Sequence, residues 1–252
     1  SAGEPAAYCD VRVPAPYALG HVLGGVHPRH RGRGLGTALL AWAERRARTR
    51  LGRVSEELAV VFRATIPVAD TTGAALLGAQ GFRRVRYFLE MAIDLGPPTA
   101  PPRWPAGIEV RSLGPTEELR GVNRAFGEIF RDHWGWVERD EEESLSEFQR
   151  WVDGNPETDR STLWLACARD EIAGLNLCWP RHRGEAGRAY IGVLGVRRPW
   201  RGRGIARALL LHAFGEFRGR GHHAAALHCD AENITGATRL YTAVGMRETR
   251  RY

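Results

Sequence analysis

The chain has no lysine: all 36 of its basic side chains are arginine. Arginine without lysine, in a chain rich in alanine and with 30 glycines, is the composition a high-GC genome produces. The formal net charge of +7 is therefore not in itself a nucleic-acid footprint. No stacking-aromatic motif interleaves the arginines, which argues against a basic RNA-binding surface. Long apolar runs are also missing; none approaches the roughly eighteen residues a membrane span needs. The first residues carry nothing that reads as a signal peptide. Cysteine is scarce. Cys9, Cys167, Cys178 and Cys229 are scattered without paired metal-ligand spacing, and three lie in apolar, strand-like runs. These predict buried free thiols in a reducing cytoplasm, with no metal, membrane or nucleic-acid partner. His222, His223, His228 and Cys229 are the nearest thing to a ligand cluster, but His222 and His223 are adjacent and point to opposite sides of a strand.

One segment occurs twice. Arg201-Gly202-Arg203-Gly204-Ile205-Ala206 repeats Arg31-Gly32-Arg33-Gly34-Leu35-Gly36, 170 positions earlier. Each copy follows an apolar run ending in Gly-Val (Gly25-Val26, Gly195-Val196) and enters a helix-like stretch. A glycine-rich turn between a strand and a helix N-terminus offers unpaired N–H groups and the positive end of the helix dipole. It is a phosphate or pyrophosphate site, with the arginines as forked donors, or else a tight turn with solvated arginines. A second element repeats as well: Thr72–Phe82 answers to Asn233–Met246, with Gly81 and Gly245 164 positions apart. The repeat implies two domains. It also predicts that the first copy is incomplete, since about sixty residues that precede the loop in the second copy have no counterpart ahead of Ser1. The end is expected to be short too.

Hydrophobic periodicity predicts strands over Ala7–Val13, Ala18–Val26 and Leu58–Ala64, helices over Leu35–Thr49 and Gly73–Gln80, and a long strand or hairpin over Phe82–Leu95. Residues 96–106 hold five prolines and read as a stiff linker. The division is then residues 1–95, linker 96–106, and residues 107–252. The second part reads strand (Ile108–Ser112), helix (Thr116–Phe130, with Glu117 and Glu118 in its first turn), helix (Glu141–Val152), hairpin (Leu163–Ala168 and Ile172–Trp179), strand (Ala189–Val196), helix (Ile205–Phe217), strand (Ala224–Cys229), helix (Thr235–Val244) and a final strand.

The loop and the Asn233…Leu240-Tyr241…Gly245-Met246 helix together resemble the GNAT acetyltransferase superfamily, and the tandem layout is similar to that of mycothiol synthases. The resemblance implies an α/β (α+β) fold, a mixed and mostly antiparallel sheet splayed where acetyl-CoA inserts. It further implies an acetyl-CoA-dependent N-acetyltransferase working on a primary amine, with a small-molecule acceptor, as a monomer or homodimer. An acetyl-CoA sensor without acceptor and a protein N-acetyltransferase are the rival readings. Carried onto this chain, the family pattern gives the pyrophosphate to the amides of Arg203, Gly204, Ile205 and Ala206, with Arg201, Gly202 and Arg203 around them. Leu194, Gly195 and Val196 would line the pantetheine arm. Asn233 would contact pantetheine or phosphate, or cap the last helix. Tyr241 would be the general acid for the departing thiolate.

The base stays open, because mycothiol synthases carry glutamate where this chain has Tyr190; Glu185 lies nearby. Asp132, Trp134 and Trp136, in the loop over the acceptor, and Tyr190 are candidates for the substrate, with Asp132 holding a cationic amine. Glu138 and Asp140–Glu143 read mainly as a helix start. In the first copy the loop is intact (Arg31, Arg33, Gly34, Gly36), but Leu77 or Gly78 stands where Tyr241 maps and Asp70 where Asn233 maps. These loop residues would bind acetyl-CoA without turning it over, or merely keep the fold; the favoured reading is a non-catalytic first domain that buttresses the second.

Overall fold

The computed structural model describes residues 4–14, 18–51, 60–96, 98–114, 118–154, 156–182, 184–233 and 235–252. The chain divides into two compact units, the first running to Val85 and the second covering Arg86–Arg251.

In the first unit, β1 (Ala7–Arg12) pairs antiparallel with β2 (Leu19–Val26), and β2 pairs parallel with β3 (Val61–Ala64). Parallel neighbours need a crossover, supplied here by helix α1 (Leu35–Leu51). Ala43 and Ala47 of α1 are fully buried, and Ala47 packs with Val11, Val13 and Phe62. Residues 58 and 59 of the expected third strand lie outside the described residues. Helix α2 (Thr71–Ala79) is capped by Asp70, whose carboxylate accepts from the Gly73 N–H at 2.8 Å.

The second unit is built on a seven-stranded sheet in the order β10-β4-β9-β8-β7-β6-β5. The elements are β4 (Phe88–Asp94), β5 (Glu109–Ser112), α3 (Leu119–Phe130), α4 (Glu141–Asp153), β6 (Leu163–Ala168), β7 (Glu171–Trp179), β8 (Arg188–Val196), α5 (Ile205–Gly219), β9 (Ala224–Asp230), α6 (Ala237–Ala243) and β10 (Arg247–Arg251). Alternating side chains feed two cores. Leu163, Leu165, Leu175, Leu177 and Val193 pack under α3 and α4. Trp164, Cys178, Ile191, Val196 and Leu227 pack against α5 and α6 on the other face.

The position of β4 corrects the sequence division. The first repeat was expected to end at residue 95, ahead of the linker. Instead β4 pairs with β9 from Phe88↔Asp230 to Asp94↔Ala224, and with β10 on its other edge. Leu89, Met91 and Leu95 are buried in the second unit's core. Only a strand inserted there satisfies both the β9 and β10 ladders, so tertiary pairing overrode chain proximity. The expected strand of Phe82–Leu95 is correspondingly shortened to Phe88–Asp94. Helix α3 is seen from Leu119, and residues 115–117, Glu117 among them, lie outside the described residues. Helix α6 starts at Ala237 rather than Thr235, because Gly236 takes φ +73°.

The sheet opens between β8 and β9. They pair in parallel only from Arg188↔Ala224 to Ile191↔Leu227. Beyond that, β8 continues to Val196 on β7, and β9 continues to Asp230 on β4. The step from Cys178↔Ile191 to Leu177↔Val193 leaves Gly192 as a bulge residue. The bulge puts Tyr190 and Val193 on the α3/α4 face, and Leu194 and Val196 on the α5 face. A Cβ at Gly192 would strike the Trp179 ring, and one at Gly195 would strike Ile129 of α3. The divergence of the strands is thus packed in, not incidental.

Candidate active site

The loop after β8 folds the same way as its copy after β2. Each begins with a short 3-10 turn, Arg198–Trp200 or Pro28–His30. Gly202 and Gly204 have φ of +75° and +85°, matched by +73° and +78° at Gly32 and Gly34. These left-handed positions need glycine. Helix α5 starts at Ile205 with Gly204 as N-cap and no capping side chain. Its first helical bond is Ala208 N–H to the Gly204 carbonyl at 3.0 Å, mirrored by Ala38 to Gly34 at 3.0 Å. The N–H groups ahead of it have no intrahelical partner, so the loop presents them at the positive end of the α5 dipole.

The arginine side chains do other work. Arg201 Nε donates to the Val196 carbonyl at 3.0 Å, and its Nη atoms reach Asp132 at 3.1 Å and the Ile129 carbonyl at 3.3 Å. Arg31 Nε likewise donates to Val26 at 3.3 Å. Arg203 donates to the Pro199 carbonyl at 3.0 Å and lies over the Trp200 ring at 4.8 Å. The Arg201 guanidinium, expected at the phosphate, thus braces the loop against Val196, Ile129 and Asp132 in this structure.

The same bonds revise Asp132. Its carboxylate accepts from Arg198 and Arg201, whose hydrogen bonds hold its pKa down to about 2. Its charge is committed to arginine rather than offered to a cationic amine. The two tryptophans separate. Trp134 is 39% exposed, with the Arg86 guanidinium 5.1 Å from its ring. Trp136 packs against Phe126 of α3 and lies off the site, its Nε1 donating to Glu138 at 3.4 Å. Asp140 caps α4 through the N–H groups of Glu142 and Glu143, at 3.0 and 3.1 Å, so this acidic run is a helix start. Asn233 does not cap α6; Gly236 occupies that place. Its Oδ1 accepts from the Thr235 N–H at 2.7 Å, an Asx turn.

Arg86, Asp132, His133, Trp134, Asp230, Glu232, Asn233 and Thr235 surround a solvent-open cleft of about 260 Å³ beside the end of β9. Asp230 accepts from Arg86 Nε at 2.6 Å. Tyr241 lies on the opposite, α5/α6 side, 7% exposed and packed in the core that holds Cys229. Burial first, then the neighbouring Cys229, pushes its hydroxyl well above the ordinary tyrosine range, so it is a neutral proton donor at physiological pH.

Sequence reasoning missed one cluster. At the apex of the β8–β9 opening, Glu90 of β4, Tyr190 of β8 and His228 of β9 share a face, and His182 of the β7–β8 connection joins them. The Tyr190 hydroxyl is 3.3 Å from His228 Nδ1, and the His182 ring stacks on Tyr190 at 4.8 Å. Glu90 Oε2 lies 3.6 Å from both His228 Nε2 and His182 Nε2, and Oε1 accepts from Arg188 at 2.7 Å and Thr249 at 2.9 Å. Glu90 is 1% exposed. Burial alone would raise its pKa, but the bonds from Thr249 and Arg188 and the charges of Arg188 and His182 outweigh that and hold it at about 2. The signal was a lone carboxylate inside the apolar run of β4.

The ligand atoms of Glu90, His182 and His228 fall within 4.8 Å of one another, the geometry of a metal set. Arg188, a fixed cation on the same carboxylate, opposes a second cation there. His222 is bonded to the Phe217 and Pro180 carbonyls, and Cys229 faces away from His228.

The acetyltransferase (GNAT) family matches residues 3–65 and 123–246. The chain belongs to this family, and N-acetyl transfer is its reaction class. A mycothiol acetyltransferase from Frankia casuarinae is 30% identical over 93% of this chain and 70% of its own length. One of the same name from Kineococcus radiotolerans is 33% identical over 87% of this chain and 66% of its own. The chain thus spans about two thirds of these relatives. Among solved structures, a GCN5-related N-acetyltransferase from Sphaerobacter thermophilus is similar at a TM-score of 0.77 and 38% identity, over 98% of this chain and 75% of that one. A tandem GNAT protein from the clavulanic acid biosynthesis pathway shares the fold at a TM-score of 0.70 and 19% identity, over 99% and 82%. Among the described residues, no helix is long and apolar enough to cross a membrane.

Proposed function

We propose that the second unit transfers the acetyl group of acetyl-CoA to the primary amine of a small molecule, by direct attack in a ternary complex. The observation that carries this reading is the opening between β8 and β9. It runs from the Gly202–Gly204 loop to Tyr190 and His228, along about four residues of unpaired strand edge, roughly 13 Å at strand rise. An extended pantetheine arm suits that edge, adding to β8 along Leu194–Val196 as a peptide strand would. The amides of Arg203–Ala206 then hold the pyrophosphate. The thioester lies at the apex, where β8 N–H groups can stabilise the oxyanion. Tyr241 protonates the leaving thiolate from the α5/α6 side.

The acceptor approaches from the α3/α4 side, past Trp134. Relatives named mycothiol acetyltransferase favour an amino-sugar thiol precursor as acceptor. The first unit keeps the loop but has Leu77 or Gly78 where Tyr241 maps, which favours a non-catalytic role for it. The test is CoA thiol release from acetyl-CoA across an amine panel that includes cysteinyl-glucosaminyl-inositol. Turnover with one or more small amines is expected. Tight acetyl-CoA binding without release on any amine would overturn the reading in favour of a sensing module.

A further inference from the structure

We propose that Tyr190, His228 and Glu90 form the proton exit for the acceptor amine. Tyr190 takes the ammonium proton and passes its own to His228 Nδ1, and Glu90 holds the imidazolium that results. The inference rests on the acetyl-transfer reading above.

Three observations converge. First, the hydroxyl, the imidazole and the carboxylate follow one another, with 3.3 Å from Tyr190 Oη to His228 Nδ1 and 3.6 Å from His228 Nε2 to Glu90 Oε2. Second, the outer two groups are part-exposed and the inner one is not. Tyr190 and His228 are each half-buried, with the His228 side chain 25% exposed, whereas that of Glu90 is 1% exposed. The outer end can meet a substrate, and the inner end stays a fixed anion. Third, the anion is fixed by design of the sheet. Arg188 and Thr249 hold Oε1, and Oε2 is turned toward the two histidines. A carboxylate that orients an imidazole and stabilises its charged form is the logic of hydrolase triads. Here tyrosine stands where those enzymes place the nucleophile, and it only relays a proton. Tyr190 is the catalytic residue, touching the amine; His228 and Glu90 are positioning residues acting through it.

The step balances. The N–H bond of the ammonium breaks, its proton goes to the Tyr190 oxygen, and the tyrosine proton goes to His228. The freed lone pair forms the C–N bond to the acetyl carbon. On collapse, the C–S bond breaks, sulfur takes the Tyr241 proton, the second nitrogen proton leaves to solvent, and Tyr241 regains a proton from solvent. One proton net passes from His228 to solvent. Among the described residues, the titratable groups against His228 are Glu90 on β4, Tyr190 on β8 and His182 on the β7–β8 connection; Arg188 of β8 reaches Glu90, Arg250 of β10 pairs with Glu90 in register, and Asp230, paired with Arg86, lies two residues on along β9.

The test uses the full chain with His228→Gln and Tyr190→Phe, between about pH 6 and pH 9, reading CoA release. One acceptor is the best amine of the panel, protonated at neutral pH. The other is hydroxylamine, which is uncharged there and needs no base before attack. With the amine, each variant is expected to lose about 10²–10³-fold at neutral pH, and the loss should shrink as pH approaches the amine's own pKa. With hydroxylamine the loss should stay under about tenfold. Acetyl-CoA affinity and melting temperature should be unchanged. Equal loss with both acceptors at every pH signals a structural role and overturns the relay, as does a variant with wild-type rate and pH profile. A wild-type protein that turns over neither acceptor overturns the acetyl-transfer reading along with it.

Discussion

The proposed mechanism gives Tyr241 and Tyr190 opposite tasks, and their surroundings differ in the matching sense. Tyr241 is buried among aliphatic side chains, and burial keeps its proton on at any physiological pH. It can give a proton to a thiolate but is a poor base. Tyr190 sits beside His228 and, through it, a buried carboxylate, an environment that draws a proton inward. Tyr241→Phe should lower turnover about 10–1000-fold without weakening acetyl-CoA binding. Because the hydroxyl pKa is raised, the wild-type rate should not fall off on the alkaline side within the ordinary tyrosine range. Steady-state kinetics and a pH profile check both points. Unchanged turnover in the variant would remove Tyr241 from the mechanism. The two carboxylates near the cleft mouth, Asp132 and Asp230, are each matched by arginine. They shape the site more than they charge it.

At the scale of elements, the decisive pair is β8 and its loop. Gly192 and Gly195 let the strand diverge from β9 while α3 and Trp179 pack against it. The loop then turns through two left-handed glycines so that α5 starts with its amides facing out. The first unit repeats this turn to within a few degrees of φ, even to the arginine that ties the loop back to the last strand residue. Two such loops raise the question of which one serves the reaction. Gly204→Val places a β-branched side chain at φ +85° and crowds the amides, and should abolish acetyl-CoA binding to the second unit. Gly34→Val should leave turnover within about twofold if the first unit is non-catalytic. Calorimetric titration with acetyl-CoA, alongside CoA release, separates the two sites.

At the scale of the whole molecule, β4 makes the proline-rich linker a misleading boundary. A fragment of residues 107–252 lacks β4, so β9 and β10 lose their shared neighbour and the core loses Leu89, Met91 and Leu95. It should show no cooperative unfolding, whereas residues 86–252 should unfold cooperatively. Denaturant titrations followed by circular dichroism would show the difference, and a stable, active 107–252 fragment would refute the role given to β4. The chain's periodicity sufficed for nearly every helix and strand of the second unit, the repeated segment for the duplicated glycine loop, and the resemblance of that loop and the Asn233–Met246 helix for the family. Those signals are local: a 3.6- or 2-residue period, and glycines where φ must be positive. What the sequence could not carry is non-local. The insertion of β4 depends on which strand edges are left unpaired, and the commitment of Asp132 to Arg198 and Arg201 depends on a loop meeting another some 66 residues away. The meeting of Glu90, Tyr190 and His228 spans almost 140 positions of chain. Such residues have no shared period or spacing; only the hydrogen-bond register of the sheet, set by burial of both faces, brings them to one point.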